Sequence, residues 1–136
     1  MSSISTIALS GMTAATRRLE VSASNVANVF STGALPDASG AVAAGTRRAY
    51  APLVPAQTAS AGGGTATTVA VATPATIAVS DPQASFANAD GLVAAPNVDL
   101  SQEMVGQMIA SYSFAANATM MKTSDRMTKV LLGILA

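Results

Sequence analysis

The two ends of this chain share a pattern that the middle lacks. Residues 4–29 and 99–135 carry apolar residues at alternating spacings of three and four, which is typical of an amphipathic helix. The segment between them is rich in Ala, Gly, Thr and Pro and has no charge over residues 49–80. Two long helices at opposite ends can meet only after the whole chain has been made. This pattern therefore predicts a subunit for assembly rather than a catalyst.

The fold class predicted from these patterns is mainly α. We expect the terminal helices to pair as a coiled coil, with a small irregular β-containing segment between them. The predicted divisions are 1–33 for the N-terminal helix of the coiled-coil domain, 34–96 for the middle, and 97–136 for the C-terminal helix. The first helix is expected to end around residues 28–32, with Gly33 as its stop, and Asp99 is expected to cap the second helix.

Three short parts of the middle have the composition of weak strands. Residues 50–58 are predicted as an edge strand or an extended arm, because they include Pro52 and Pro55. Residues 67–73 and 76–80 alternate β-branched with small side chains, which predicts a weak hairpin or two edge strands. An uncharged strand edge readily pairs with another chain, so the middle also favours a packed neighbour.

The composition leaves a single chain with a thin core. Half of the 136 residues are apolar, but 30 are Ala, and each Ala buries little surface. Seven basic and seven acidic residues give a formal charge of zero, so self-repulsion is weak. We therefore expect neighbouring subunits to supply the missing burial.

The residue types argue against a chemical site. The sequence has neither Cys nor His, so it lacks the commonest general base and the commonest metal ligands. We predict no enzyme activity, no cofactor and no metal. No basic patch is dense enough for nucleic acid, and polar residues interrupt the uncharged run 104–121, so no membrane span is expected. The acidic residues are scattered: Glu20, Asp37, Asp81, Asp90, Asp99, Glu103 and Asp125.

The two helical stripes supply the predicted assembly interface. Asn25 and Asn28 lie near the end of the first helix, where they act either as a C-cap or as polar residues that fix the register of packed helices. The interface residues predicted in the first helix are Met12, Ala15, Leu19, Asn25, Val26, Asn28 and Val29. Those predicted in the second are Val105, Met108, Ile109, Tyr112, Ala116, Asn117, Val130 and Ile134.

Both ends of the sequence resemble the flagellar rod and hook protein family. Residues 19–28 read LEVSASNVAN, which is similar to the family's N-terminal signature, and the Thr/Gly turn expected after it is present at 31–33. Residues 90–105 include DGLVAAPNVDL and EMV, which resemble the C-terminal signature, and residues 114–127 continue it. The two signatures occur in the expected order and cover nearly half of the chain.

This resemblance implies a structural subunit of the bacterial flagellar basal body. Short chains of the family belong to the proximal rod, and residues 81–98 are most similar to the FlgC class. The implied function is to polymerise into the rod that crosses the periplasm and transmits motor torque. The implied route is the flagellar type III export apparatus, without a cleaved signal peptide. The implied partners are further copies of the chain and rod subunits of the FlgB, FlgF, FlgG and FliE types.

Two alternatives stay open from the sequence. One lies within the same family, as a FlgB-like or a distal rod protein. The other is a secreted helical-hairpin adaptor or effector, which would form a soluble heterodimer of defined size rather than rings or filaments.

Overall fold

The computed structural model describes residues 3–37 and 40–135. The remaining residues of the predicted ranges, 1, 2, 38, 39 and 136, lie outside the described part. Long helices occur near both ends of the chain, as predicted, and strands occupy the middle. The elements in chain order are α1 (Ser3–Ala27), β1 (Leu53–Ala59), β2 (Thr65–Val71), β3 (Thr76–Ser80), β4 (Leu92–Pro96) and α2 (Leu100–Leu135).

The two helices pack side by side and run antiparallel. Near the start of α1, Ser5 Oγ lies 3.3 Å from Ser124 Oγ, which is late in α2. Near the end of α1, Ser22 Oγ donates to the backbone oxygen of Glu103, early in α2, at 3.1 Å. The buried apolar positions of α1 are mostly alanines, so the helix axes can approach closely.

The predicted N-cap of α2 is confirmed. The Oδ1 atom of Asp99 accepts hydrogen bonds from the backbone N–H groups of Ser101 at 2.8 Å and Gln102 at 3.1 Å. These are donors that the first turn of a helix cannot satisfy by itself.

Strands β1 and β2 form an antiparallel hairpin that lies along α1. Their register runs from Leu53 opposite Val71 to Ala59 opposite Thr65. The turn between them includes Gly63 and Gly64, both with positive φ, a conformation that glycine adopts without steric cost. The N–H of Thr65 donates to Ser10 Oγ at 3.1 Å, which attaches the turn to the first half of α1.

Strands β3 and β4 form a second antiparallel sheet, which the segment after the C-terminal end of α1 contacts. A two-way backbone bridge joins Gly33 to Ala94, with N–O distances of 3.0 and 2.9 Å. A β-carbon at Gly33 would overlap the backbone of residues 47–49, so only glycine allows this close approach. Val93 and Ala94 are buried beside the bridge and form a small second core.

The predicted fold class is wrong. The helices hold 25 and 36 of the 136 residues, which is less than half. The middle forms two separate two-stranded sheets instead of an irregular segment. No coiled coil is shown either, because the buried contact side of α2 is lined with small and polar residues rather than large apolar ones. Every residue of the four strands has a cross-strand partner, which the sequence pattern did not predict.

Two local predictions are also corrected. Of the two alternatives for residues 67–73 and 76–80, the hairpin is wrong, because β2 pairs with β1 and β3 pairs with β4; the two segments are edge strands of different sheets. The β4 strand itself had not been predicted. Gly33 does not end α1, which stops at Ala27, but holds the bridge to the second sheet.

Candidate functional site

One side of α2 presents a long row of exposed, mostly apolar side chains. Tyr112 and Ile134 are each 75% exposed. Isolated apolar residues on a surface are ordinary, but a row of them along one side of a helix favours an interaction surface; here Thr119 and Thr123 interrupt the row. We call this row the outer face, and its members are Val105, Met108, Ile109, Tyr112, Ala116, Met127, Val130 and Ile134.

A different side of α2 contacts α1. We call it the inner face, and it consists of Glu103, Ala110, Asn117 and Ser124, which recur at intervals of seven residues. Ala110 is 1% exposed, and Ser124 is also buried. At about 100° per residue, the inner face lies roughly a third of a turn around the helix from the outer face. The large apolar stripe predicted in α2 is therefore not the side that packs on α1.

Close approach of the two helices is visible at Gly11. An ideal β-carbon built on Gly11 would lie only 2.6 Å from Asn117 Oδ1. The Asn117 amide therefore occupies the space that a side chain at Gly11 would need. Its Nδ2 atom donates to the backbone oxygen of Ser113 at 2.8 Å, which fixes the amide within α2.

Asn25 connects three parts of the fold. It is 2% exposed, and its Nδ2 atom donates to the Leu53 oxygen at 2.8 Å and to Glu103 Oε1 at 2.6 Å. Its Oδ1 atom accepts from the Leu53 N–H at 2.9 Å and from the Tyr50 hydroxyl at 3.0 Å. All four hydrogen-bonding positions of the amide are thus used. We call Asn25, Tyr50, Leu53 and Glu103 the Asn25 cluster; it fixes the register of α1 against α2 and β1.

Asn28 makes only local contacts. Its Nδ2 atom donates to the Ser24 oxygen at 2.9 Å, and its Oδ1 atom accepts from Ser31 Oγ at 3.3 Å. These bonds satisfy groups in the turn after α1, as a C-cap does. Of the two roles predicted for the asparagines, Asn25 has that of a polar residue that fixes the register between packed elements, and Asn28 has that of a C-cap.

The structure divides the predicted interface residues into three groups. Ala15 and Asn25 are buried within the chain, whereas Met12, Val26, Asn28, Val29 and Asn117 are partly covered. The rest are exposed and open to a neighbouring subunit: Leu19, Val105, Met108, Ile109, Tyr112, Ala116, Val130 and Ile134. Their role in an interface between subunits remains a prediction.

Sequence reasoning missed several residues that the structure brings together. Tyr50 and Glu103 complete the Asn25 cluster, but no spacing links them to Asn25 in the sequence. Phe30, just after α1, is 86% exposed, which the sequence pattern did not predict. An aromatic residue directly after a helical stripe is a signal that could have drawn attention to it.

Neither a metal-ligand cluster nor a membrane-spanning helix is found among the described residues. In residues 3–37 and 40–135, no group of three or more acidic residues could hold a metal ion. Over the same ranges, neither α1 nor α2 contains a stretch that is long and apolar enough to cross a membrane.

Two protein-family models match this sequence. The model described as "Flagella basal body rod protein" matches residues 6–34, and that described as "Flagellar basal body rod FlgEFG protein C-terminal" matches residues 89–134. None of the curated proteins compared with the sequence matches it. The two family matches cover most of α1, β4 and nearly all of α2, which together amount to more than half of the chain.

These matches first define a class, the structural proteins of the flagellar basal body, which is not a class of enzymes. More specifically, the chain belongs to the flagellar basal body rod protein family. Its location is accordingly the flagellar basal body, and its assembly partners are other rod subunits.

Proposed function

We propose that this protein is an axial subunit of the proximal rod, of the FlgC class, and that it polymerises into the rod that transmits motor torque. The observation that carries the proposal is the outer face of α2, a row of exposed apolar side chains on a helix that the rod family model matches. Each large apolar side chain contributes about 1.5–3 kcal/mol when fully buried. Burial of this row between subunits would therefore stabilise a stiff tube.

The class within the family rests on the middle segment. Between α1 and α2 the described residues, 28–37 and 40–99, form two small two-stranded sheets, which supports a proximal rod protein rather than one with a large inserted domain. The second candidate is a distal rod protein, which is favoured by the description of the C-terminal family model as FlgEFG.

The proposed partners are further copies of this chain and rod subunits of the FlgB, FlgF, FlgG and FliE types. Exposed apolar residues on α1, such as Leu9 and Leu19, give the helix pair a second surface for them. We propose delivery by the flagellar type III apparatus without a cleaved signal peptide, and a final place in the rod across the periplasm.

A matched pair of substitutions in α2 tests the proposal. Ile109→Asp places a charge on the outer face, whereas Ser111→Asp places the same charge on an exposed residue outside it. Each variant replaces the natural copy in the flagellated host. We expect Ile109→Asp to abolish motility and to be absent from purified basal bodies, while Ser111→Asp remains active.

Circular dichroism of both purified variants checks that the helices remain folded. Full motility with Ile109→Asp would contradict the proposal. A soluble heterodimer of fixed size, recovered in place of rods, would favour the adaptor alternative.

A further inference from the structure

A polar cavity lies where α1, β1 and the start of α2 meet. It has a volume of about 470 Å³, is partly open to solvent, and is lined by one basic and one acidic side chain, Arg18 and Glu103. We propose that this cavity binds a short zwitterionic peptide of two or three small residues, with its carboxylate on Arg18 and its ammonium group on Glu103. We call it the Arg18 cavity. It does not include the outer face of α2, so the inference is independent of the proposed function.

Arg18 supplies the positive charge of the cavity. It is partly buried on α1, and its guanidinium makes no hydrogen bond or ion pair with residues 3–37 and 40–135. The neighbouring Arg17, by contrast, is exposed and pairs with Glu20 at 3.0 Å. A guanidinium that is partly removed from water favours a carboxylate ligand, because its fork of N–H groups can form two parallel hydrogen bonds to the two oxygens.

Glu103 supplies the negative charge, and its position is fixed by α1. Its Oε1 atom accepts from Asn25 Nδ2 at 2.6 Å, and its backbone oxygen accepts from Ser22 Oγ at 3.1 Å. No other described residue bonds to the carboxylate, so its Oε2 atom is available to a further donor. Although Arg18 and Glu103 line the same cavity, they are too far apart to form an ion pair. A ligand with one carboxylate and one ammonium group would pair with both.

The remaining lining fits a peptide between these two charges. Gln57 of β1 and Gln102 of α2 carry side-chain amides, which can donate to and accept from a peptide bond. Val21, Leu53 and Pro55 provide apolar surface for small side chains. Two or three extended residues span at most about 7–10 Å, and a sphere of the cavity's volume is about 10 Å across. A mostly apolar lining with a few convergent polar groups is typical of a small-ligand site.

Trialanine is the probe, because it has both charged ends and small side chains. Its binding to the full-length protein is measured by NMR titration of the backbone amides of Val54 and Gly106, which line the cavity. We expect trialanine to bind about tenfold more tightly than trialanine amide, which lacks the carboxylate, and than N-acetyl-trialanine, which lacks the ammonium group. Equal binding of the three peptides, or no binding of trialanine up to about 20 mM, would overturn the inference.

Paired variants assign the two charges of the ligand to the two side chains. Arg18→Gln should weaken trialanine binding about tenfold and remove the preference over trialanine amide. Arg17→Gln removes the adjacent surface charge and is the matched control, which should keep both the affinity and the preference. Glu103→Gln keeps an oxygen for Asn25 and should remove only the preference over N-acetyl-trialanine. A preference for the carboxylate that survives Arg18→Gln would overturn the assignment.

Gly106 offers a way to close the cavity without changing its charges. A β-carbon there would meet nothing within 4 Å, and leucine is more favourable than glycine in a helix. We expect Gly106→Leu to lower trialanine affinity at least about tenfold while circular dichroism shows the helices intact. Gly133→Leu is the matched control, since Gly133 lies on the same helix outside the cavity and is equally free of neighbours. Unchanged trialanine binding by Gly106→Leu would mean that the peptide binds elsewhere, and would overturn the inference.

Discussion

The inner and outer faces of α2 have opposite compositions and opposite surroundings. The inner face, with Ala110, Asn117 and Ser124, is small and polar yet covered by α1. The outer face, with Ile109 and Tyr112, is large and apolar yet exposed. A helix of a self-sufficient domain shows the reverse arrangement. The contrast indicates that close approach and hydrogen bonds specify the fold of one chain, while the large apolar side chains of α2 stay exposed, as we propose for a surface that neighbouring subunits cover.

The Asn25 cluster is where the inner contacts are expected to be strongest. Asn25→Ala would leave the Glu103 carboxylate, the Tyr50 hydroxyl and both backbone groups of Leu53 without this partner. Buried polar groups that lose a partner cost about 1–3 kcal/mol each when water cannot replace it. We expect the free energy of unfolding to fall by about 3 kcal/mol, as measured by denaturant titration.

Asn28→Ala is the matched control for that substitution. Asn28 bonds only to Ser24 and Ser31, so its loss should cost about 1 kcal/mol or less. Equal losses for the two variants would mean that Asn25 does not join the elements as described.

Two glycines of the helices differ in what surrounds them. A β-carbon at Gly11 would meet the Asn117 amide, whereas one at Gly106 would meet nothing within 4 Å. Gly106→Ala should raise the free energy of unfolding by about 1 kcal/mol through helix propensity. Gly11→Ala should lose that gain and cost a further ~1 kcal/mol, because Asn117 must move. Thermal unfolding of both variants compares them, and equal stabilisation would show that the inner face is not closely packed.

The hairpin strand β2, which packs on α1, differs from the inner face of α2 in its hydrogen bonding. Thr67 Oγ1, in the described part of the chain, is buried without a hydrogen-bond partner. Thr67→Val replaces the hydroxyl by a methyl group of similar size and should raise the free energy of unfolding by about 1 kcal/mol. Thr68→Val, at the exposed neighbouring position, should change it by less than about 0.5 kcal/mol. A loss of stability in Thr67→Val would indicate that the hydroxyl is bonded in solution.

Sequence alone could predict the helices but not their contact faces. The three/four spacing and the Asp99 cap are local features, so α1 and α2 could be located from them. Which side of α2 is buried depends on the helix that packs on it. The buried residues of α1 are mostly alanines, and they pack on the small side chains of α2 rather than on its stripe of large apolar side chains. Strand β4 could not be predicted, because it is only five residues long and ends in Pro96, and proline is unfavourable in strands. The Tyr50–Asn25 bond spans 25 residues and has no local signal.

The central claim is that the outer face of α2 is exposed in the monomer and covered in the rod. Thiol labelling of Ile109→Cys tests it most directly, because the natural sequence offers no other cysteine. The labelling rate is measured on the purified monomer and on basal bodies that contain the variant, after confirming that it supports motility. We predict rapid labelling of the monomer and labelling slower by on the order of tenfold or more in the rod, since a buried thiol is inert. Equal rates in the two states would contradict the claim.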